Sequence, residues 1–208
     1  MTGGPAGQLA LSQLALALDL TGQLVAGVGP GQWDGGTPCE EWTVADLVTH
    51  MTDGNYLFSS VLRGLPLAEA RTAVPAVRPG ADRAARFRDA AGRLAAAYGP
   101  PGVLDQLFTI PVGTMPGLGT LHIRLVEMLV HGWDLARATG QSTAFPDELA
   151  EQELAFTRQQ ELPPGRSPFK PGQPAARDAP AIDRLAACLG RRVPGADGAT
   201  SPRKPAPS

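Results

Sequence analysis

Cysteine is scarce in this chain of 208 residues. The two that occur, Cys39 and Cys188, form no C-x-x-C motif, and no H-x-x-x-C-x-x-C string is present. Closely spaced cysteines are typical of disulfide scaffolds and of cysteine-ligated zinc sites. The sequence therefore argues against both, and against a zinc-type anti-sigma regulator, and we expect reduced thiols.

An excess of positive charge is also missing. Lysine and arginine total 18 against 20 acidic residues, so the formal net charge is -2 and the isoelectric point is near 5.9. The arginines of "RAARFRDAAGR" are spread around a predicted helix and mixed with an acid, which is typical of a solvated face. Binding to nucleic acid or to an anionic membrane is therefore not predicted.

A long unbroken hydrophobic run is absent as well. The most apolar stretch, "QLALSQLALALDLTGQLVAGV", is interrupted by Ser12, Gln13 and Asp19 and has no basic leader. These features favour neither a signal peptide nor a membrane-spanning helix. We expect a cytoplasmic protein.

Helical periodicity dominates what remains, and we find neither a sustained strand-like alternation nor an internal repeat. Thr43 and Asp46 have the spacing of a capping box, and Gly140 stands where a helix C-cap prefers glycine. The segment 104–119, with two prolines, is predicted to be a connector containing at most a brief extended stretch. The fold class predicted is all-α, a helical bundle. The predicted helices cover residues 8–27, 43–64, 81–99, 120–139, 146–160 and 179–190.

The fourth predicted helix carries the chemistry. In "EMLVHGWDLARATG" and the residues before it, Arg124, Glu127, His131 and Asp134 are spaced three, four and three apart, so they share one side of a helix. The other positions are mostly apolar, which indicates a surrounded helix with an inward polar stripe. Buried charges require partners.

A metal ion is one such partner. Glu127 and His131 would direct a carboxylate oxygen and an imidazole nitrogen toward one point, and His50 borders the apolar face of the second predicted helix. Two imidazoles and one carboxylate leave a coordination position open, as in catalytic sites. Zinc suits this set best, and nickel or iron is compatible with it.

Other interpretations stay open on spacing alone. An E-x-x-x-H pair is more often a solvated helix face or an intrahelical hydrogen bond. His50 alone fits a hydrogen-bonded boundary residue, and His122 fits an exposed residue near the helix start. The candidate catalytic residues Arg124 and Asp134 form a salt-bridged surface, or they orient His131 or receive an anionic substrate.

Two segments, "EWTVADLVTHM" and "RLVEMLVHGWDLARATGQ", resemble the signature regions of the DinB-like superfamily. The branch they resemble is typified by the N-terminal domains of mycothiol-dependent maleylpyruvate isomerases. The "APAIDRLAACLGRRVP" segment is similar to the ending of a small single-domain group within that branch. The resemblance implies a DinB-like four-helix bundle with extra C-terminal helices, and a divalent metal bound by His50, Glu127 and His131.

The resemblance also implies a function and a domain organisation. Relatives use the metal to activate a low-molecular-weight thiol such as mycothiol for isomerisation or for transfer onto an electrophile. The full isomerase has a second, substrate-handling domain, which is not expected in residues 140–208. We therefore expect a bundle over residues 1–160, a Pro-rich extension with a short packed helix over 161–194, and a disordered tail over 195–208.

The function predicted from these features is a metal-dependent thiol transferase or isomerase with a small-molecule thiol and an electrophile as partners. A non-catalytic metal-binding or stress-related module and a metal-assisted hydrolase are the alternatives. A homodimer is compatible with the small, apolar helix surfaces.

Overall fold

The computed structural model describes residues 4–78, 80–159 and 169–194. Within these residues the chain forms seven α-helices, a short 3₁₀ helix (Pro30–Gln32) and one β-hairpin. The elements, in chain order, are α1 (Pro5–Ala26), α2 (Val44–Leu62), α3 (Leu67–Thr72), α4 (Arg83–Ala97), β1 (Leu107–Ile110), β2 (Gly113–Pro116), α5 (Gly117–Thr139), α6 (Asp147–Gln159) and α7 (Ala181–Cys188).

Four of these helices make a bundle. α1 packs on α4 and α5, and α2 packs on the same two helices, so each helix contacts two neighbours around a common core. Burial of apolar side chains in this core is the main source of stability. The predicted all-α class and the four-helix bundle are confirmed. The core includes Leu14, Leu47, Met51, Phe87, Leu94, Leu125, Met128 and Leu129.

Local sequence signals set the start of α2 and the end of α5, the two helices that carry the predicted ligand residues. At the start of α2 the Thr43 hydroxyl accepts a hydrogen bond from the Asp46 amide (3.2 Å), and the Thr43 amide donates to the Asp46 carboxylate (3.1 Å). At the end of α5 Gly140 adopts a left-handed conformation with φ of 71°. The predicted capping box and glycine C-cap are both confirmed.

The segment predicted to be a connector is instead an ordered antiparallel hairpin. Phe108 pairs with Met115 and Thr109 with Thr114, whose hydroxyls lie 2.9 Å apart. Phe108 and Ile110 point into the core and alternate with exposed residues. Four residues of alternation are too few to stand out in a sequence, which is why the pattern was missed. The six-residue helix α3 was missed for a similar reason.

The last two helices extend the bundle. α6 and α7 pack on each other and on α5, and the Trp133 indole donates to the Asp183 carboxylate over 2.6 Å. The boundary expected near residue 160 falls outside the described residues, as does the tail expected over 195–208. The division into these units therefore stays a prediction.

Among the described helices, the Ala6–Ala26 segment is long and apolar enough to cross a membrane by length and composition alone. Buried core helices also meet that test. Leu14 and Ala17 of α1 are buried against the bundle. Leu9 and Leu16, on the other side of the same helix, are exposed.

Candidate metal centre

The candidate centre lies where α2 faces α5. His50 comes from the second turn of α2, and Glu127 and His131 come from successive turns of α5. His50 Nε2 lies 3.0 Å from Glu127 Oε2, and His131 Nε2 lies 3.7 Å from the same oxygen. Each residue offers one ligand atom, and these atoms all lie within 4.8 Å of one another. The structure thus brings the three predicted ligand residues together.

Two imidazoles and one carboxylate form a donor set that is compatible with a divalent metal ion. Ligand atoms in a tetrahedral zinc site, with bonds of about 2.1 Å, are about 3.4 Å apart. The two distances to Glu127 Oε2, 3.0 and 3.7 Å, lie on either side of that value. Side-chain exposure rises from 3% at His131 through 13% at Glu127 to 38% at His50. One side of the cluster is therefore closed and the other is open to solvent.

The charge state of Glu127 suits a ligand. Burial alone would raise its pKa, but the hydrogen bond with His50 and the positive charge of Arg124 outweigh burial, so the pKa lies well below its ordinary value. A carboxylate with such a depressed pKa is ionised at neutral pH. Glu127 thus presents a negative oxygen to the cluster.

The protonation state of His131 also suits a metal ligand. Burial lowers the pKa of His131, and the hydrogen bond to Asp134 and the charge of Glu127 only partly oppose that effect. His131 Nδ1 lies 3.0 Å from Asp134 Oδ2. Because an ionised carboxylate only accepts hydrogen bonds, a neutral imidazole places its proton on Nδ1 and leaves the Nε2 lone pair facing Glu127.

The two candidate catalytic residues lie on the buried side of this cluster. Arg124 is 2% exposed, and its guanidinium donates to Asn55 Oδ1 (2.8 Å), to the Met51 carbonyl (3.3 Å) and to Glu127 Oε2 (3.4 Å). Asp134 is fully buried and contacts His131. Both therefore contact a candidate ligand directly.

Two clefts meet at the cluster and share Trp42, His50 and Glu127 in their walls. The first has a volume of about 430 Å³ and also contains His131. The second has a volume of about 790 Å³, and both apolar and charged side chains line it. The first cleft is also lined by Cys39, Phe169, Lys170 and Arg191. The second is also lined by the apolar residues Leu57, Phe58, Val112 and Ile123 and by the charged residues Asp46, Asp53, Arg71 and Arg124.

Sequence reasoning missed two members of the site. The Trp42 ring centroid lies 4.5 Å from that of His50 and 5.7 Å from that of His131, so this tryptophan covers both imidazoles. Arg191, after α7, reaches Asp134. The position of Trp42, directly before the capping box of α2, is the one sequence signal that could have placed it near His50. Nothing in the sequence around Arg191 links it to a site some 60 residues earlier.

The third histidine lies elsewhere. The expectation of an exposed His122 is wrong, because its ring stacks on Phe156 with centroids 4.7 Å apart. Its Nδ1 lies 2.9 Å from the fully buried Glu153 carboxylate of α6. His122 thus joins α5 to α6 and takes no part in the cluster.

Comparison with known proteins agrees with this fold. The family model described as "Mycothiol maleylpyruvate isomerase N-terminal domain" matches residues 14–136. Uncharacterized proteins from two strains of Mycobacterium tuberculosis are each 39% identical over 181 residues, covering 85% of this chain and 94% of the relative. A crystal structure of a histidine-to-alanine mutant of the mycothiol-dependent maleylpyruvate isomerase superposes with a TM-score of 0.58. That match is 17% identical and covers 71% of this chain and 67% of the isomerase chain.

The family match includes the whole of the first signature segment, residues 124–136 of the second and all three cluster residues. The relatives share sequence over most of both chains, while the solved isomerase supports the fold alone. The chain belongs to the family of mycothiol maleylpyruvate isomerase N-terminal domains, a DinB-like family.

Proposed function

We propose that this protein binds a divalent metal ion, with zinc as the first choice, through His50, Glu127 and His131. We further propose that it uses the ion in thiol-dependent transfer or isomerisation. The observation that carries the proposal is the convergence of three ligand atoms from two helices beside solvent-accessible clefts. A metal with three protein ligands keeps a position for a further ligand.

A bound metal at this position would favour the thiolate form of a low-molecular-weight thiol such as mycothiol at neutral pH, and thiolate is the nucleophilic species. The chain's own residues prepare the site. Glu127 is held as an anion, and the imidazole of His131 is kept neutral by burial. Arg124 donates a hydrogen bond to Glu127, and Asp134 orients His131, so we assign a positioning role to both residues. Arg124 also lines the larger cleft.

The two clefts support a reaction of two substrates. The smaller cleft contains His131, Cys39 and the ion pair of Lys170 with Glu40, which suit a polar thiol. In the larger cleft, Leu57 and Ile123 offer apolar contacts for the body of an electrophile, and Arg124 offers positive charge for an anionic group on it. Because both clefts contain His50 and Glu127, two bound molecules would meet at the cluster.

Metal content is the first test. We expect purified protein to hold about one equivalent of zinc after exposure to the metal, as a three-ligand site predicts. His50→Ala, Glu127→Ala and His131→Ala should each lose most of it on elemental analysis. His122→Ala is the matched control, because this histidine lies on the same helix but outside the cluster. Retention of metal by all three cluster variants would contradict the proposed centre.

Thiol binding is the second test. Isothermal titration of zinc-loaded protein with mycothiol should give saturable binding that disappears in His131→Ala and persists in His122→Ala. Zinc-loaded wild-type protein that binds no thiol would contradict thiol-dependent chemistry and favour a non-catalytic metal module. Turnover of an ester or amide without added thiol would instead favour metal-assisted hydrolysis.

A further inference from the structure

Arg191 is a buried cation in the last described part of the chain, residues 169–194, which we call the C-terminal segment. It is 6% exposed, and its guanidinium donates to Asp134 from two nitrogens, Nη2 to Oδ2 (2.8 Å) and Nε to Oδ1 (3.2 Å). Its Nη1 donates to the Leu189 carbonyl over 2.8 Å. Such a fork-shaped contact uses both carboxylate oxygens and defines the plane of the carboxylate. Asp134 is therefore held in one orientation.

The same carboxylate oxygen serves the candidate ligand. Asp134 Oδ2 lies 3.0 Å from His131 Nδ1 and 2.8 Å from Arg191 Nη2, while these two nitrogens lie 3.5 Å apart. Two donors thus converge on one acceptor. A carboxylate that accepts from Nδ1 selects the tautomer whose Nε2 is free to bind a metal.

We propose that Arg191 is a positioning residue for His131: by holding Asp134 it fixes the Nδ1-protonated tautomer and the ring orientation that present Nε2 to the cluster. Its effect on metal affinity rests on the proposed function, whereas its effect on the imidazole tautomer does not require an ion. The C-terminal segment, which also places Phe169 within 6.3 Å of the His131 ring centroid, thereby completes a site otherwise built from α2 and α5.

The test compares Arg191→Met and Arg191→Lys with wild type. In metal-free protein at pH 7.5, nitrogen-15 NMR should show His131 protonated on Nδ1 in wild type and a growing Nε2-protonated fraction in Arg191→Met. Zinc affinity, measured by competition with a chelator, should fall roughly 10- to 100-fold in Arg191→Met. Arg191→Lys keeps the charge but not the planar fork, so we expect an intermediate loss.

Arg184→Met is the matched control. Arg184 lies in α7, and its guanidinium contacts Glu151 and the Ala179 carbonyl rather than Asp134. This variant removes a partly buried arginine from the same segment, yet it should leave both the His131 tautomer and the zinc affinity unchanged. If Arg191→Met does not fold, the comparison of Arg191→Lys with Arg184→Met decides the question.

The outcomes separate the two proposals. An unchanged His131 tautomer with unchanged zinc affinity in the folded Arg191 variants would overturn the positioning role. A changed tautomer in a protein that binds no zinc even as wild type would support the positioning role and reject the metal centre. Equal losses in Arg184→Met and Arg191→Met would overturn the positioning role, because a general loosening of the segment would explain both.

Discussion

At the residue scale, Glu127 is the point on which the charges of the candidate centre converge. Its Oε2 lies 3.0 Å from His50, 3.4 Å from Arg124 and 3.7 Å from His131. Arg124 is almost fully buried and depends on this carboxylate for compensation of its charge. The acid therefore has a structural task in addition to its proposed role as a ligand.

Glu127→Gln should destabilise the metal-free protein. The substitution leaves the Arg124 charge buried without a counter-ion, and we expect the free energy of unfolding in urea to fall by about 3 kcal/mol. Adding Arg124→Met removes the stranded charge, so the double variant should be more stable than Glu127→Gln alone. Strictly additive effects in this double-mutant cycle would show that the two side chains are not coupled.

At the element scale, a glycine of α2, Gly54, leaves room for the Arg124 side chain of α5. A Cβ atom at Gly54 would lie 2.7 Å from Arg124 Nη1 and 3.1 Å from its Cζ. The guanidinium donates hydrogen bonds to Asn55, to the Met51 carbonyl and to Glu127, so displacing it would strain or break these bonds. The absence of a side chain at position 54 is thus part of the site's construction.

Two helical glycines offer a matched comparison for this point. Gly54→Ala should lower the free energy of unfolding by about 2 kcal/mol, because the new methyl group displaces a buried, bonded guanidinium. Gly92→Ala, in the exposed middle of α4 with no atom within 4 Å of the new Cβ, should raise it by about 0.5–1 kcal/mol. Urea denaturation followed by circular dichroism measures both, and a stabilising Gly54→Ala would contradict the argument.

Tyr98 links the end of α4 to α5 and makes the protein sensitive to alkali. Its hydroxyl lies 2.9 Å from Thr120 Oγ1, and burial raises the pKa of Tyr98 well above its ordinary value of 10.0. The unfolded chain loses this proton near pH 10 while the folded protein retains it. The contribution of Tyr98 to stability is therefore complete below pH 10 and is lost as the pH rises above it.

Above pH 10, the free energy of unfolding should fall by about 1.4 kcal/mol per pH unit on account of Tyr98. Tyr98→Phe should remove this part of the slope, although it also loses the hydrogen bond to Thr120 and so starts from lower stability. Urea titrations between pH 9 and 11 measure the slope in each protein. The other tyrosine, Tyr56, is present in both proteins, so the difference between the slopes reports on Tyr98. Equal slopes in the two proteins would reject the assignment.

At the scale of the whole molecule, the C-terminal helix belongs to the same packed interior as the bundle. Leu185, Ala186 and Ala187 of α7 are buried, and the Trp133 indole of α5 is hydrogen-bonded to Asp183. A buried helix that shares its apolar contacts with the main core is expected to unfold together with it.

Leu185→Ala tests that expectation. Removing a fully buried leucine should lower the global free energy of unfolding by about 2–5 kcal/mol, and circular dichroism and tryptophan fluorescence should report one coincident transition. Leu107→Ala, at a side chain that is 69% exposed, should change little. An early fluorescence change at unaltered global stability would mean that α7 detaches separately.

The sequence by itself determined the helices of the bundle, the caps at Thr43 and Gly140, and the polar stripe of Arg124, Glu127, His131 and Asp134. These features depend on short-range periodicity and on hydrogen bonds between near neighbours, so the information for them is local. The resemblance carried by the two signature segments indicated that His50 belongs with this stripe.

Only the tertiary structure decided the hairpin, the pairing of His122 with Glu153, and the contact of Arg191 with Asp134 across 57 residues. It also decided that Trp42 lies over the imidazoles, that Arg124 contacts Glu127 and that Asp134 contacts His131. Such contacts join distant parts of the chain, and burial and charge compensation select them only once the helices have packed.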